Sequence, residues 1–394
     1  VTLAVRTVDT DGEGAGLEAF LTLPEEVYRG DPFYLPPARE DTLAGLRRPD
    51  FAGAQRALVA FDGDRALARC VARRSPSLRD EAGLPIGMLG FFEALEGSQE
   101  AVHALFNEAI RWLRETGAGR IVGPMDGDTW HRYRLNAGPF PPAGDPPFLL
   151  EPYNPPYYPA LWESAGFRVL ETYSSTWADT AAVARRLEPR HREALAAGYR
   201  LRPFTALLFE DELAVIYELS RTVFAGNFLY TEITEDEFIA LYAGARPLID
   251  PGLIWFARSP EGRDVGFLFA YPDHFRAVAA LQGRRDLAAK LRFLWHRRST
   301  KTVDVKTLGV LPEHRRAGVG AALMYRVHVE AQERGLRRAN HCLFRDGNPS
   351  GGMAGEGAKL LRKYHLYEWS PHPQPLSRAS TAPPPRTGEG SPRP

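Results

Sequence analysis

The sequence predicts an α/β protein in which one fold, a mixed sheet flanked by helices, occurs twice in tandem and is followed by a disordered C-terminal tail. Three observations lead there. The order apolar run, amphipathic helix, glycine stop, apolar run appears once in each half of the chain. Each half then continues through an Asn-Pro step to a last β-like stretch. The final residues lose nearly all apolar character. The expected units are residues 1–178, 179–369 and 370–394.

In the first half, Ile86 to Phe92 is a short apolar run with glycines, consistent with a buried strand. Ser98 can cap the helix that follows, and Glu100 lies in its first turn. Val102, Leu105, Phe106, Ala109, Ile110 and Leu113 recur at helical spacing and predict one buried face. Gly117 ends that helix because it can adopt a left-handed conformation. Arg120 to Gly123 is the next strand. From Asp126 to Pro156 the density of Pro and Gly predicts a long loop, and long loops in compact domains are often functional. Asn154-Pro155 leads to a β-like run from Phe167 to Trp177, and a break is expected from Ala178 to Pro189.

In the second half, Val303 to Val310 alternates as a strand. A Gly-rich turn follows, then a helix with Leu323, Val327 and Ala331 on one face and a stop at Gly335. Leu336 to Phe344 is the next strand, and Asn348-Pro349 precedes the stretch from Lys363 to Trp369. A strand, short helix and strand in this order require a parallel or mixed sheet. Ser370 to Pro394 has almost nothing to bury, cannot offset its ordering entropy, and is expected to be a disordered tail.

The chemistry-bearing segment joins Leu308, Gly309 and Val310 to Arg315, Arg316, Ala317, Gly318, Val319 and Gly320. Pro312 stops the strand, and a helix opens within the glycines. Amides at a helix start have no intrahelical acceptor and carry positive dipole character. Gly318 and Gly320 remove side chains that would keep an anion away, and Arg315 and Arg316 add charge-assisted donors. The design is a pyrophosphate cradle. No Gly-Lys-Ser/Thr follows, so it is not a P-loop, and a dinucleotide fingerprint would need a third glycine.

The pattern Val310-x-Pro312-x-x-Arg315-x-x-Gly318-x-Gly320-x-x-Leu323 resembles the acyl-CoA signature of the GNAT acetyltransferase superfamily, and the resemblance covers about Leu201 to Trp369. It implies that Leu308 to Val310 pair with the pantetheine arm, that the amides from Arg315 to Gly320 hold the pyrophosphate, and that Asn348 lies near the same arm. The first half is similar less directly. Tyr153 to Leu161 with Ala165-Gly166-Phe167 resembles the last helix of the fold and the strand after it. Its cradle position, Phe91 to Ser98, has no Arg, a single Gly, and the acids Glu93 and Glu96, which repel phosphate. Ordinary CoA binding is therefore expected in the second half only. Asp31 to Pro37 and Gly123-Pro124-Met125 also resemble uncharacterised bacterial proteins with tandem GNAT-like halves.

Other residues carry competing readings. Trp130, His131, Arg132 and Tyr133 either line an acceptor pocket between the halves or belong to a loop folded over its own aromatics; the second is preferred. Glu232, in the segment Gly226 to Glu232, either accepts a proton or is an exposed helix-flanking acid. Asp304 and Lys306 are expected to pair on the surface. Of His341 and Cys342, one should face the core, with Cys a small buried hydrophobe. His296, Arg297 and Arg298 are expected on a solvated face. GNAT enzymes often use a Tyr beyond the Asn as the acid, but after Asn348 there is none before Tyr364, and the intervening glycines make a poor helix. No general base or acid is assigned.

Composition narrows the function. Over 394 residues, 49 basic and 49 acidic side chains give a net charge of zero, which argues against nucleic acid as a partner. Two distant cysteines, Cys70 and Cys342, exclude a disulfide framework and suit a reducing cytoplasm. No histidine pattern suggests a metal. No apolar run approaches the roughly 20 residues that span a bilayer, and no membrane partner is expected. Val1 to Thr10 does not have the form of a secretory signal, and a first residue other than Met points to a missing initiator or a non-standard start codon. The resemblance implies transfer of an acyl group, with acetyl from acetyl-CoA the expected case, to a small-molecule or peptide amine. The alternatives are a regulatory module that binds acyl-CoA without turnover, and an aminoacyl or fatty-acyl transferase. Oligomeric state and acceptor are left open.

Overall fold

The computed structural model describes residues 3–243, 246, 249–281 and 286–370. The expected tail, apart from Ser370, lies outside the described residues. The first half contains β1 (Leu3–Val8), α1 (Ala15–Val27), α2 (Arg39–Leu46), β2 (Gln55–Asp62), β3 (Arg65–Arg79), β4 (Pro85–Ala94), α3 (Gln99–Glu115), β5 (Ile121–Gly123), β6 (Leu135–Gly138), α4 (Tyr158–Ser164) and β7 (Arg168–Asp179). The second continues with α5 (Thr180–Ala196), β8 (Arg200–Pro203), α6 (Phe209–Phe224), α7 (Glu235–Ala243), β9 (Ile254–Arg258), β10 (Asp264–Pro272), α8 (Phe275–Ala279) and α9 (Leu287–Ser299). It ends with β11 (Thr302–Val310), α10 (Val319–Glu333), β12 (Arg338–Arg345) and β13 (Lys359–Trp369).

Among the described residues the strands form one thirteen-stranded mixed sheet in the order β1-β2-β3-β4-β5-β13-β7-β12-β11-β10-β9-β8, with β6 attached to β13. The fold is two α/β units joined edge to edge. Each has one parallel pair, β4 with β5 and β11 with β12. The last strands are exchanged: β13 lies antiparallel to β5, and β7 lies antiparallel to β12. The two exchanged strands pair with each other from Lys359↔Trp177 to Glu368↔Arg168 and form the seam.

Helices cover both faces. The apolar stripe of α3 is buried from Val102 to Leu113 and packs on β2 and β3, while α1 covers the opposite face. In the second half α5 and α10 cover one face, and α6, α7 and α8 the other. Gly117 and Gly335 are left-handed just beyond α3 and α10, as expected for helix stops. Some local expectations need correction. Ser98 is the N-cap residue of α3, but its hydroxyl donates back to Leu95 O at 2.6 Å instead of accepting from the helix. No break occurs after Ala178: β7 runs straight into α5, whose first turn is capped by Asp179 accepting from Ala182 N at 2.9 Å. Pro189 sits inside that helix. The stretch from Asp126 to Pro156 contains β6.

The seam is tied by a buried charge. Arg362 on β13 has no exposed side-chain surface, and neither has Glu151, its partner at 2.7 Å. Arg362 also donates to Pro139 O at 2.6 Å and Asp145 O at 2.8 Å, so it binds the long first-half loop to the last strand of the second half. Burial pushes the Glu151 carboxyl up, opposed by the Arg362 charge and a hydrogen bond from Tyr364. Removing one member of a buried pair leaves the other uncompensated. Arg362→Met should therefore lose about 3–5 kcal/mol in urea unfolding, and the double variant Arg362→Met/Glu151→Met should lose less than the single. A double variant as unstable as the single would show that the pair's charges are not coupled.

Candidate functional site

The cleft begins where two strands part. β11 and β12 pair in parallel only from Thr302↔Arg338 to Val305↔His341. At that level both strands shift register against their outer neighbours. The β10 pairing steps from Ala270↔Val305 to Phe269↔Thr307, which leaves Lys306 as the bulged residue. The β7 pairing steps between His341 and Phe344, and Leu343 is held at φ 59°. Bulges bend a strand and re-aim its side chains. Beyond them the strands diverge around a cavity of about 1400 Å³, with Lys306, Thr307, Leu308 and Val310 on one wall and Cys342, Leu343, Phe344 and Arg345 on the other. From Lys306 onward the side of β11 that faces β12 has no strand partner among the described residues.

The cradle closes one end of this cleft. A 3-10 helix spans Pro312–Ala317, Gly318 is left-handed at φ 76°, and α10 starts at Val319, one turn later than the arginine pair. The first helical bond runs from Ala322 N to Gly318 O at 2.9 Å, so the amides of Val319, Gly320 and Ala321 have no intrahelical acceptor. A Cβ on Gly320 would stand 3.2 Å from Met353 Cε. Arg315 Nε donates to Val310 O at 3.0 Å and locks the turn against the strand end. Leu308, Val310, Arg315, Arg316, Gly318, Gly320 and Asn348 line the cavity. Gly309, Ala317 and Val319 do not; Gly309 instead lies against the Phe267 ring, 2.7 Å from where its Cβ would be. Asn348 accepts from Ser350 N at 3.1 Å and caps a 3-10 helix, Pro349–Ala354, in place of an α-helix.

The corresponding space in the first half is filled by its own chain. β4 and β5 pair only at Gly87↔Ile121 and Met88↔Val122. Past that point Met125 N donates to Leu89 O at 2.8 Å, and Phe91 N donates to Asp126 Oδ1 at 2.6 Å. A Cβ on Gly90 would fall 2.4 Å from Met125 O, so the loop is seated directly on the strand. Buried Glu93 accepts from Tyr28 at 2.9 Å and from Tyr158 at 2.8 Å.

The same loop crosses to the other half. Trp130, His131, Arg132 and Tyr133 line the cleft of the second half, which corrects the reading that they fold over their own aromatics. Trp130 donates to Thr231 O at 2.8 Å and meets Tyr230 and Phe238 edge-on. His131 Nδ1 lies 2.7 Å from Asp128 Oδ1, and Arg48 lies 2.7 Å from Asp128 Oδ2. Burial favours the neutral acid in Asp128, but the hydrogen bonds of His131 and Arg48 with the Arg48 charge outweigh it and hold the carboxyl at about 2. The ionised Asp128 can only accept, so His131 Nδ1–H donates to it; Arg48 Nη1 lies 3.0 Å from the same nitrogen, and the ring lines the cavity.

Asp304 and Lys306 are not a surface pair, because the loop around Phe148 covers that face of β11. Asp304 is fully buried and accepts from Asn340 Nδ2 at 2.9 Å; burial and nearby Asp273 push its carboxyl up. Lys306 opens onto the cavity, where burial lowers its ammonium. Glu232 is exposed, 3.9 Å from Arg221, and is not part of the cleft. Tyr364 is buried, bonded to Glu151 and 3.2 Å from Ser175 Oγ. The cavity also has an apolar wall of Leu213, Ile216, Phe238, Tyr242, Phe267 and Phe269.

Residues 227–350 match the family model for the Acetyltransferase (GNAT) family. The chain is 22% identical over 368 residues to Protein YghO of Escherichia coli (strain K12), covering 89% of this chain and 92% of that protein. It is 26% identical over 316 residues to Bacterial ceramide synthase of Caulobacter vibrioides, covering 78% and 80%. Among solved structures, the GCN5-related glucosamine N-acetyltransferase region of a fungal multi-domain GH3 β-N-acetylglucosaminidase aligns with a TM-score of 0.52 at 16% identity. That alignment covers 93% of this chain and 38% of the fungal chain, and the likeness is one of fold.

A buried histidine pair lies behind the cleft, where His341 lines the cavity. His328 Nδ1 donates to Met324 O at 2.7 Å, so its Nε2 accepts from His341 Nε2, 3.2 Å away. Burial lowers His328 to about 4, and burial with the neighbouring His328 lowers His341 to about 3. The unfolded chain binds these protons near pH 6.5, so the pair's contribution is complete above that pH and is lost as pH falls toward 4. The urea midpoint of the wild type should drop more between pH 7 and pH 5 than that of His328→Phe/His341→Leu. Equal slopes would contradict the neutral pair.

Proposed function

We propose that this chain, carrying its GNAT domain at residues 227–350, is an acyl-CoA-dependent N-acyltransferase that works in the cleft between β11 and β12 and joins a fatty acyl group to the amine of a long-chain acceptor. The observation that carries the reading is the cavity itself. A cradle of free amides and arginines and an apolar aromatic wall line one cavity of about 1400 Å³. Pockets for small ligands are typically about 300–1,000 Å³. Transfer of acetyl to a small polar amine, the expectation from the resemblance, would leave that wall with nothing to cover. The relative named Bacterial ceramide synthase supports the choice, since a ceramide is the amide of a fatty acid and a long-chain amino alcohol.

In this reading Leu308 and Val310 align the pantetheine arm, the amides of Gly320 and Ala321 with Arg316 hold the pyrophosphate, and Asn348 borders the arm. The acceptor nitrogen bonds to the thioester carbonyl carbon, a cleft-side amide of β11 near Val310 stabilises the developing oxyanion, and the C–S bond breaks with its electron pair leaving on sulfur. The proton lost by the amine goes to His131 Nε2, whose other nitrogen is held by Asp128. The thiolate is weakly basic and leaves without a dedicated acid; the buried Tyr364 hydroxyl is engaged by Glu151 and Ser175.

Three measurements test this. Gly318→Asp places a carboxylate at the cradle, whereas Gly318→Asn has the same tolerance for the left-handed backbone without the charge. Calorimetry should show CoA affinity falling more than about tenfold further for Asp than for Asn; equal affinities would remove the cradle. His131→Gln should lower turnover by about 10²-fold or more with CoA affinity intact, and a near-normal rate would exclude it as the base. With a long-chain amino alcohol as acceptor, a long-chain acyl-CoA should be used in preference to acetyl-CoA. A preference for acetyl-CoA and short polar amines would restore the acetyltransferase reading, and CoA binding with no turnover of any amine would favour the regulatory one.

A further inference from the structure

α9 is a thirteen-residue helix with two apolar faces. The inner face is short: Ala289 is buried, and Phe293 lies near His274 where the helix rests against α8. The outer face carries Leu287, Leu291, Leu294 and Trp295 at spacings of four, three and one, which puts them on one side of the helix. Their exposures are 73%, 58%, 48% and 69%. A lone exposed leucine is unremarkable, but four large apolar side chains on one face are costly to leave in water.

Charge indicates what covers this face. Lys290 and Arg292 flank the apolar stripe on its two sides, and Arg298 continues it at the C-terminal end. All three are exposed, and none makes an ion pair among the described residues. An apolar stripe of Leu and Trp bordered by unpaired basic residues fits the surface of an anionic bilayer, with the stripe among the acyl chains and the cations at the headgroups. A protein interface would tend to deplete lysine and to pair such charges. Among the described residues no helix is long and apolar enough to cross a membrane, but lying on the surface does not require one.

The position of the helix adds a second argument. α9 leans on α8, and Phe275 of α8 belongs to the same apolar cluster as Leu149, Phe269 and Tyr271, which line the cavity. α9 thus sits over α8, which in turn packs on residues of the cavity wall. We infer that α9 is a membrane-surface anchor that docks the protein on anionic lipid, with the α8 side of the cavity toward the bilayer. The docking stands apart from the proposed reaction and can be measured without it. It revises the sequence reading, in which the basic run at His296 to Arg298 is merely solvated and no membrane is involved.

The test is sedimentation of the full chain with phosphatidylglycerol–phosphatidylcholine vesicles, pure phosphatidylcholine vesicles, and no vesicles. The wild type should sediment with the anionic vesicles at low salt, less at high salt, and little with neutral ones. Leu291→Ser/Trp295→Ser should lower the bound fraction at least fivefold while the melting temperature stays within a few degrees. Should that variant fail to fold, Trp295→Phe provides the second reading: anionic vesicles should blue-shift the emission of the wild type, and the substitution should remove most of the shift. Absence of sedimentation, sedimentation or an emission shift unaffected by the substitutions, or a concentration-dependent dimer that the substitutions dissolve would each overturn the anchor.

Discussion

The exchange of last strands across the seam is the constraint on which the other features depend. In each half the parallel pair ends after a few residues and needs a strand beside it to complete the sheet. That strand comes from the other half, β13 against β5 and β7 against β12. The exchange fixes the two halves in register, and Arg362 with Glu151 ties the long first-half loop to the seam without exposure to water. With that loop held, Trp130 and His131 reach a cleft formed by strands roughly two hundred residues further along the chain, an arrangement that two independent units on a flexible linker could not maintain.

Hydrogen-bond accounting explains why one cleft is open and its counterpart closed. Where strands diverge, backbone groups lose their partners and must find others. In the first half Leu89 O and Phe91 N are satisfied by Met125 and Asp126, and the loop fills the gap. In the second half the cleft side of β11 has no strand partner beyond Val305 among the described residues, and the glycines of the cradle keep side chains out of the entrance. A related fold thus serves two purposes. One copy spends its cleft on holding a loop in place, and that loop furnishes part of the wall of the other.

What was legible in the sequence was local. The stripe on α3 and the alternation of β11 follow from periodicities of a few residues, and the cradle from a turn whose glycines and arginines are adjacent. The residues misjudged are those whose surroundings come from far away. Asp304 and Lys306 were expected on the surface because the loop that covers them is about 150 residues earlier in the chain. Trp130 was expected to pack on its own loop and instead meets Phe238. The expected cap at Ser98 failed for a smaller reason: its hydroxyl has a nearer acceptor in Leu95 O. α9 escaped notice because apolar residues on two opposed faces cancel the one-sided pattern that marks an amphipathic helix. For His131, the signal was present as Asp128-x-x-His131, a spacing that allows the pair to bond within one turn of chain, but nothing local showed which cavity it faced.

The most direct test of the single open cleft is hydrogen–deuterium exchange with and without CoA, followed on peptides covering the strand and turn of each half. Binding should slow exchange in the segment from Lys306 to Ala321 and leave Leu89 to Ser98 unchanged. Protection of the first-half segment to a comparable degree would show a second working cleft and contradict the division of labour between the two copies.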